Sequence, residues 1–76
     1  MSTIVKDYHI NIFYSDEDAG YIADIPDLNS CSAFGKTPAE ALAEVEIAKD
    51  AWIAAATAEG KPIPQPSYKP EIYQIS

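Results

Sequence analysis

Few side chains in this sequence are equipped for chemistry: one cysteine, Cys31, one histidine, His9, and twelve carboxylates among 76 residues. Metal-dependent phosphoryl transfer needs several carboxylates converging on one or two cations. Asp7, Asp24, Asp27 and Glu40 are the candidates, because each stands near the end of an expected element, where a sheet can gather side chains. Their spacing does not show that they converge, and carboxylates in an acidic chain ordinarily face water. Asp16-Glu17-Asp18-Ala19-Gly20 has a calcium-loop flavour, but an EF-hand loop starting at Asp16 requires glycine at its sixth place and glutamate at its twelfth. Tyr21 and Asp27 stand there instead. Cys31 sits in no nucleophile elbow, and only His9, across a sheet, is available as a base, so the thiol reads as a small buried hydrophobe. One Cys and one His cannot build a zinc site of the usual kinds. Gly20, Gly35 and Gly60 are isolated and make no phosphate loop. The chain is therefore expected not to be an enzyme and to need neither metal nor cofactor.

The elements around these residues can be read from periodicity. Residues 7–14 alternate, with Tyr8, Ile10, Ile12 and Tyr14 on one face and His9, Asn11 and Phe13 on the other, as a half-buried strand does. The run from Ser15 to Gly20 supplies turn formers, and residues 21–25 make a second strand, so the two form a hairpin. Pro26 cannot donate to a ladder and ends that strand. Residues 31–34 are a third strand, closed by Gly35. Thr37-Pro38-Ala39-Glu40 then combines an N-cap hydroxyl, proline at the first helical position and glutamate three places after the cap, which is a capping box.

The helix is expected from about 38 to 59, with Gly60 as its C-cap. Leu42, Val45, Trp52 and Ala56, flanked by Ala41, Ala48 and Ala55, form its apolar stripe, with Trp52 as the main anchor on the sheet. Ile47 and Ile53 lie at the margins, placed to face a second subunit. Prolines 62, 64 and 66 then force a semi-rigid strap over 61–70. A fourth strand over 71–76 would use Ile72, Tyr73 and Ile75. The result is a single α+β domain over 1–76, a small antiparallel sheet with one packed helix in the order β-β-β-α-(β).

Composition narrows the function. A domain of this size buries only about 60% of its unfolded surface. With no disulfide possible, self-association as a dimer or tetramer is the remaining route to stability. Twelve carboxylates against five lysines and no arginine give a formal charge of −7. Such a chain repels phosphate and lacks the usual guanine reader, which argues against direct nucleic-acid binding. A basic protein is the electrostatically favoured partner. No apolar run is long enough to span a bilayer, and nothing at the start reads as a signal peptide, so a cytoplasmic protein is expected.

One ordered set of residues goes further. Gly20-Tyr21-Ile22-Ala23-Asp24-Ile25-Pro26-Asp27-Leu28, then Cys31, Gly35, Thr37, Glu40, Ala41 and Leu42, closely resembles the HicB family of antitoxins, as does Gly60-Lys61-Pro62-Ile63-Pro64-Gln65-Pro66-Ser67. The resemblance covers about residues 8–68. Where the family usually has Pro-Gly before the cysteine, this chain has Asn29-Ser30, and asparagine tolerates the left-handed geometry such a turn uses. The resemblance implies a reduced ribonuclease-H-like fold without its catalytic carboxylates, and a HicA-like basic toxin that cleaves messenger RNA as partner. Many members continue into a DNA-binding module that has no counterpart before Ser76, so autoregulation is not expected here. Within the resemblance, Asp16, Glu17, Asp18 and Asp27, or Ile72, Tyr73 and Ile75, are the expected partner-binding residues. A stand-alone oligomeric binding or sensor domain of the same fold is the alternative.

Overall fold

The computed structural model describes residues 8–67. The strand expected over 71–76, and Asp7, lie outside the described residues. Three strands, β1 (Asn11–Ser15), β2 (Gly20–Asp24) and β3 (Ser32–Gly35), precede one helix, α1 (Pro38–Ala58). The strands form an antiparallel sheet in the order β1-β2-β3. The fold is thus the expected α+β arrangement, with boundaries moved by a residue or more. Among the described residues β1 begins only at Asn11, β2 takes in Gly20, and β3 extends through Gly35 while leaving Cys31 outside.

Register assigns the two faces. Ile12 pairs with Ala23 and Tyr14 with Tyr21, and Ala23 and Tyr21 continue onto Ala33 and Gly35 of β3. This is the helix-covered face, where Ala23 is fully buried and Tyr21 and Ala33 pack against the core. The other face carries the rows Asn11–Asp24–Ser32 and Phe13–Ile22–Phe34.

Helix and sheet meet at one tight point. A Cβ built on Gly35 would lie 2.2 Å from the backbone nitrogen of Ala41 and 2.7 Å from its Cα. Only glycine lets β3 approach the first turn of α1 so closely. That turn is held by the expected cap: Thr37 Oγ1 accepts from the Glu40 amide at 3.1 Å. The Glu40 carboxylate reaches back one residue further than a standard capping box and accepts from the Lys36 amide at 2.6 Å. From this anchor Ala41, Val45 and Ala56 run down the buried face of the helix. Ile25, Leu28 and Val45 are the largest fully buried side chains, so they, more than the half-buried Trp52, centre the core. The Trp52 indole nitrogen instead donates to the Asn29 carbonyl at 2.9 Å and ties the helix to the loop before β3. Leu42 and Ala55 of the expected stripe are exposed, whereas Ile53 packs against the core and only Ile47, 64% exposed, stays on the rim.

Two turns hold a non-glycine residue in the left-handed region: Ala19 (φ 55°) in the hairpin turn, and Ser30 (φ 60°), where Asn29 was the expected one, in the loop before β3. Gly20 opens β2, and a Cβ there would lie 2.4 Å from the Phe34 ring. After the helix, Gly60 (φ 72°) makes the expected left-handed stop, one residue past the Glu59 cap.

Two measurements check this account. Gly35→Ala is expected to cost about 3 kcal/mol, the upper range for overpacking, because the atoms nearest the new methyl are all backbone. Ser30→Gly is expected to stabilise by about 1 kcal/mol through relief of the left-handed strain. Urea denaturation of the two variants reads both signs.

Candidate partner interface

The carboxylates singled out for metal chemistry are spread over the domain, each bound to a different part of the chain. Asp24 Oδ2 accepts from Asn11 Nδ2 at 3.1 Å, and Asn11 Oδ1 in turn lies 2.7 Å from His9 Nε2. Asp27 binds Ser67, and Glu40 caps the helix. Among the described residues no group of three or more His, Cys, Asp or Glu side chains is placed to hold a metal ion. Cys31 is buried within the core. Burial pushes its thiol pKa up; nearby Lys49 acts against the rise and Asp24 adds to it. A thiol held in its neutral form is a poor nucleophile.

The acidic residues expected to meet a partner fall into two settings. Asp16, Glu17 and Asp18 are exposed together on the β1–β2 turn. Ser15 Oγ donates to Asp18 Oδ2 at 3.0 Å and accepts from the Asp18 amide at 3.3 Å, which fixes the turn's base. Beside it, the Tyr14 and Tyr21 rings meet edge to face with centroids 5.3 Å apart. The turn is therefore a fixed concentration of negative charge next to aromatic surface, suited to attract lysine and arginine.

Asp27 is used differently. Its Oδ2 accepts from the Ser67 amide at 3.1 Å and its Oδ1 from the Ser67 hydroxyl at 3.0 Å. Tyr8 donates its hydroxyl to the Pro64 carbonyl. The proline strap is thus stapled to the domain at both points, with Ile63, Pro64 and Pro66 half-buried. Burial, with the Asp27 charge adding to it, raises the Tyr8 pKa. Ile72, Tyr73 and Ile75 lie outside the described residues. An open cleft of about 430 Å³ lies on the helix's last turns, between Trp52, Ala56 and the Asn29-Ser30 loop. Its rim carries the exposed Glu59–Lys61 ion pair at 3.1 Å, which contributes little to stability.

Most of the motif residues turn inward or shape the backbone. Ala23, Leu28, Cys31 and Ala41 are buried, Gly20 and Gly35 admit neighbours, and Thr37 and Glu40 cap the helix. Pro26-Asp27-Leu28 forms a closed loop in which the Ile25 amide donates to Cys31 O at 3.0 Å and the Leu28 amide to Ile25 O at 3.0 Å. The sequence is 36% identical over 64 residues to the UPF0150 protein ssl0259 of Synechocystis, covering 84% of this chain and 85% of that one. The chain belongs to the UPF0150 family. No family model matches it, and no solved structure does. The UPF0150 relationship spans the whole frame just described.

Sequence reasoning missed the strap's staples at Tyr8 and Ser67, which join residues 56 and 40 positions away. It also assigned no role to the apolar row on the helix-free face, although Phe13 and Ile22 were readable as outward positions.

The staple is open to a pH test. A phenol whose folded pKa is raised contributes stability that is complete below its unfolded value of about 10 and is lost as pH rises through the folded value. Tyr8→Phe is expected to cost about 1 kcal/mol at neutral pH. The gap between wild type and variant is expected to close above about pH 10, measured by urea unfolding across that range.

Proposed function

We propose that this chain is a non-catalytic binding protein that neutralises a small, basic, RNA-cleaving toxin, as a HicB-type antitoxin domain does. The ordered motif from Gly20 to Leu42 supports the family reading. Its residues build the frame and leave the acidic turn free to engage a partner. The observation that carries the choice of partner is the exposed run Asp16-Glu17-Asp18 on a rigid turn, in a chain of formal charge −7. A toxin that grips RNA does so with a cationic surface. Three adjacent carboxylates compete for that surface and accelerate encounter. Asp27, with both oxygens given to Ser67, acts in this reading by holding the strap in place.

Co-expression with a HicA-like basic toxin is the test. Restored growth and co-purification of the two chains are expected, and failure of both overturns the reading. Neutralising the turn (Asp16→Asn, Glu17→Gln and Asp18→Asn together) is expected to slow association about tenfold and to flatten its salt dependence. The dissociation rate should change much less. Unchanged association kinetics would place the toxin on another surface.

A further inference from the structure

The cleft on the last turns of α1 has no part in the proposal above. One of its walls, the Asn29-Ser30 loop, follows the Asp24 end of β2, whereas the acidic turn joins the Gly20 end, so the two stand at opposite ends of the strand. Its volume of about 430 Å³ lies in the ordinary range for small-ligand sites. Trp52 lines it, and the indole nitrogen already donates to the Asn29 carbonyl at 2.9 Å. What Trp52 offers a visitor is therefore the ring itself. Beside it Ala55 and Ala56 keep the helix surface low, since neither carries more than a methyl. Glu59 stands on the rim, where its carboxylate holds the Lys61 ammonium at 3.1 Å with both side chains exposed. The last turn of the helix contains no basic residue to offset the negative end of its dipole. On the loop wall Ser30 is held at φ 60°, a conformation that glycine adopts without strain. Neither its hydroxyl nor the Asn29 side-chain amide bonds another of the described residues.

We propose that this cleft seats an arginine side chain of a partner protein, its guanidinium stacked on Trp52 and its charge facing Glu59. Charge decides the class of ligand. A formal charge of −7, a helix C-terminus without a basic residue and a rim carboxylate all favour a cation here. Tryptophan is the ring that holds a cation best, and a planar guanidinium stacks on it as a compact ammonium does not. The apolar stem of arginine then lies along Ala55 and Ala56. Lys61 at present pairs with Glu59, but an exposed pair of this kind contributes so little that an incoming guanidinium exchanges with it at small cost. The N–H donors of a guanidinium need acceptors, and the Ser30 hydroxyl and the Asn29 amide oxygen supply them from the loop wall. A strained serine where glycine would serve is accounted for by a use of its hydroxyl. The open side of the cleft favours a tethered side chain over a free molecule, because a pocket for a free ligand encloses most of it.

Nuclear magnetic resonance of the full chain tests this, since the single tryptophan gives one indole N–H signal. Capped arginine (Nα-acetyl-arginine methylamide) is expected to shift that signal, and those of Asn29 and Ser30, saturably at millimolar concentrations. Capped citrulline has the same shape without the charge and is expected to bind about tenfold more weakly or not at all. Equal binding of the two overturns the assignment of a cation. Methylguanidine, the head without the stem, is expected to bind about threefold more weakly than capped arginine. Methylguanidine binding as tightly gives the cleft to a free small cation and overturns the partner's side chain. The two rim residues are expected to act with opposite signs: Glu59→Gln weakens binding about threefold, and Lys61→Gln, which frees Glu59, tightens it about as much. Both are exposed, so neither endangers the fold. The same sign in both variants overturns the role of Glu59. Ser30→Gly is expected to lose about twofold in binding while stabilising the domain. Shifts confined to Asp16, Glu17 and Asp18, with Trp52 silent, overturn the proposal, because the turn alone then takes cations. No toxin enters the measurement, so its outcome and that of co-expression are independent.

Discussion

The close approach of Gly35 to the backbone of Ala41 sets the geometry of the whole domain. A strand and a helix separated by two residues can pack only if the connecting corner is nearly free of side chains. Here the corner is a glycine against an amide nitrogen, with the Thr37 cap fixing the direction in which the helix leaves. Everything downstream follows from that direction. The helix lies mainly over β3 and then β2, and touches β1 least. Ala23 and Val45 are sealed, while Ile12 and Tyr14, on the same face one strand further out, remain partly open. Uneven burial across the sheet is a consequence of where the helix is pinned.

That division bears on function. Many of the residues of the ordered motif are spent on the corner, the closed loop before β3 and the core. They specify a frame, and a frame is compatible with many partners. Specificity in this chain has to come from what the frame leaves outside: the acidic turn, the apolar row and the strap. These differ in chemistry, one charged, one apolar and one stiff, so they suit different neighbours.

Much of the frame was legible because local rules agreed with tertiary ones. Alternation in β1, Pro26 at the strand end and the Thr37-Pro38-Glu40 signal each point to one outcome, and packing had no reason to override them. Reading failed where backbone conformation follows from spatial neighbours. Gly20 stands in a run of turn formers, but the turn's left-handed residue is Ala19, and Gly20 lies in β2 where the Phe34 ring occupies the space a Cβ would take. Leu42 fits the helical stripe by spacing, yet the helix's position over β3 leaves it 37% exposed. The site was less legible still. Asp27 looks like a surface charge until Ser67, 40 residues away, is seen to occupy it. No window of sequence contains both.

The same separation shapes how the chain acquires its structure. Both strand pairings join segments adjacent in sequence, and such local contacts form early because little chain entropy is lost in closing them. The bonds from Ser67 to Asp27 and from Tyr8 to Pro64 close loops of 40 and 56 residues. They cannot form until the helix is in place to carry the strap back across the molecule. During synthesis the sheet and helix can therefore assemble while the last residues are still emerging. The strap closes at the end, so a chain interrupted before Pro64 would hold a nearly complete sheet and helix with Tyr8 still lacking its acceptor.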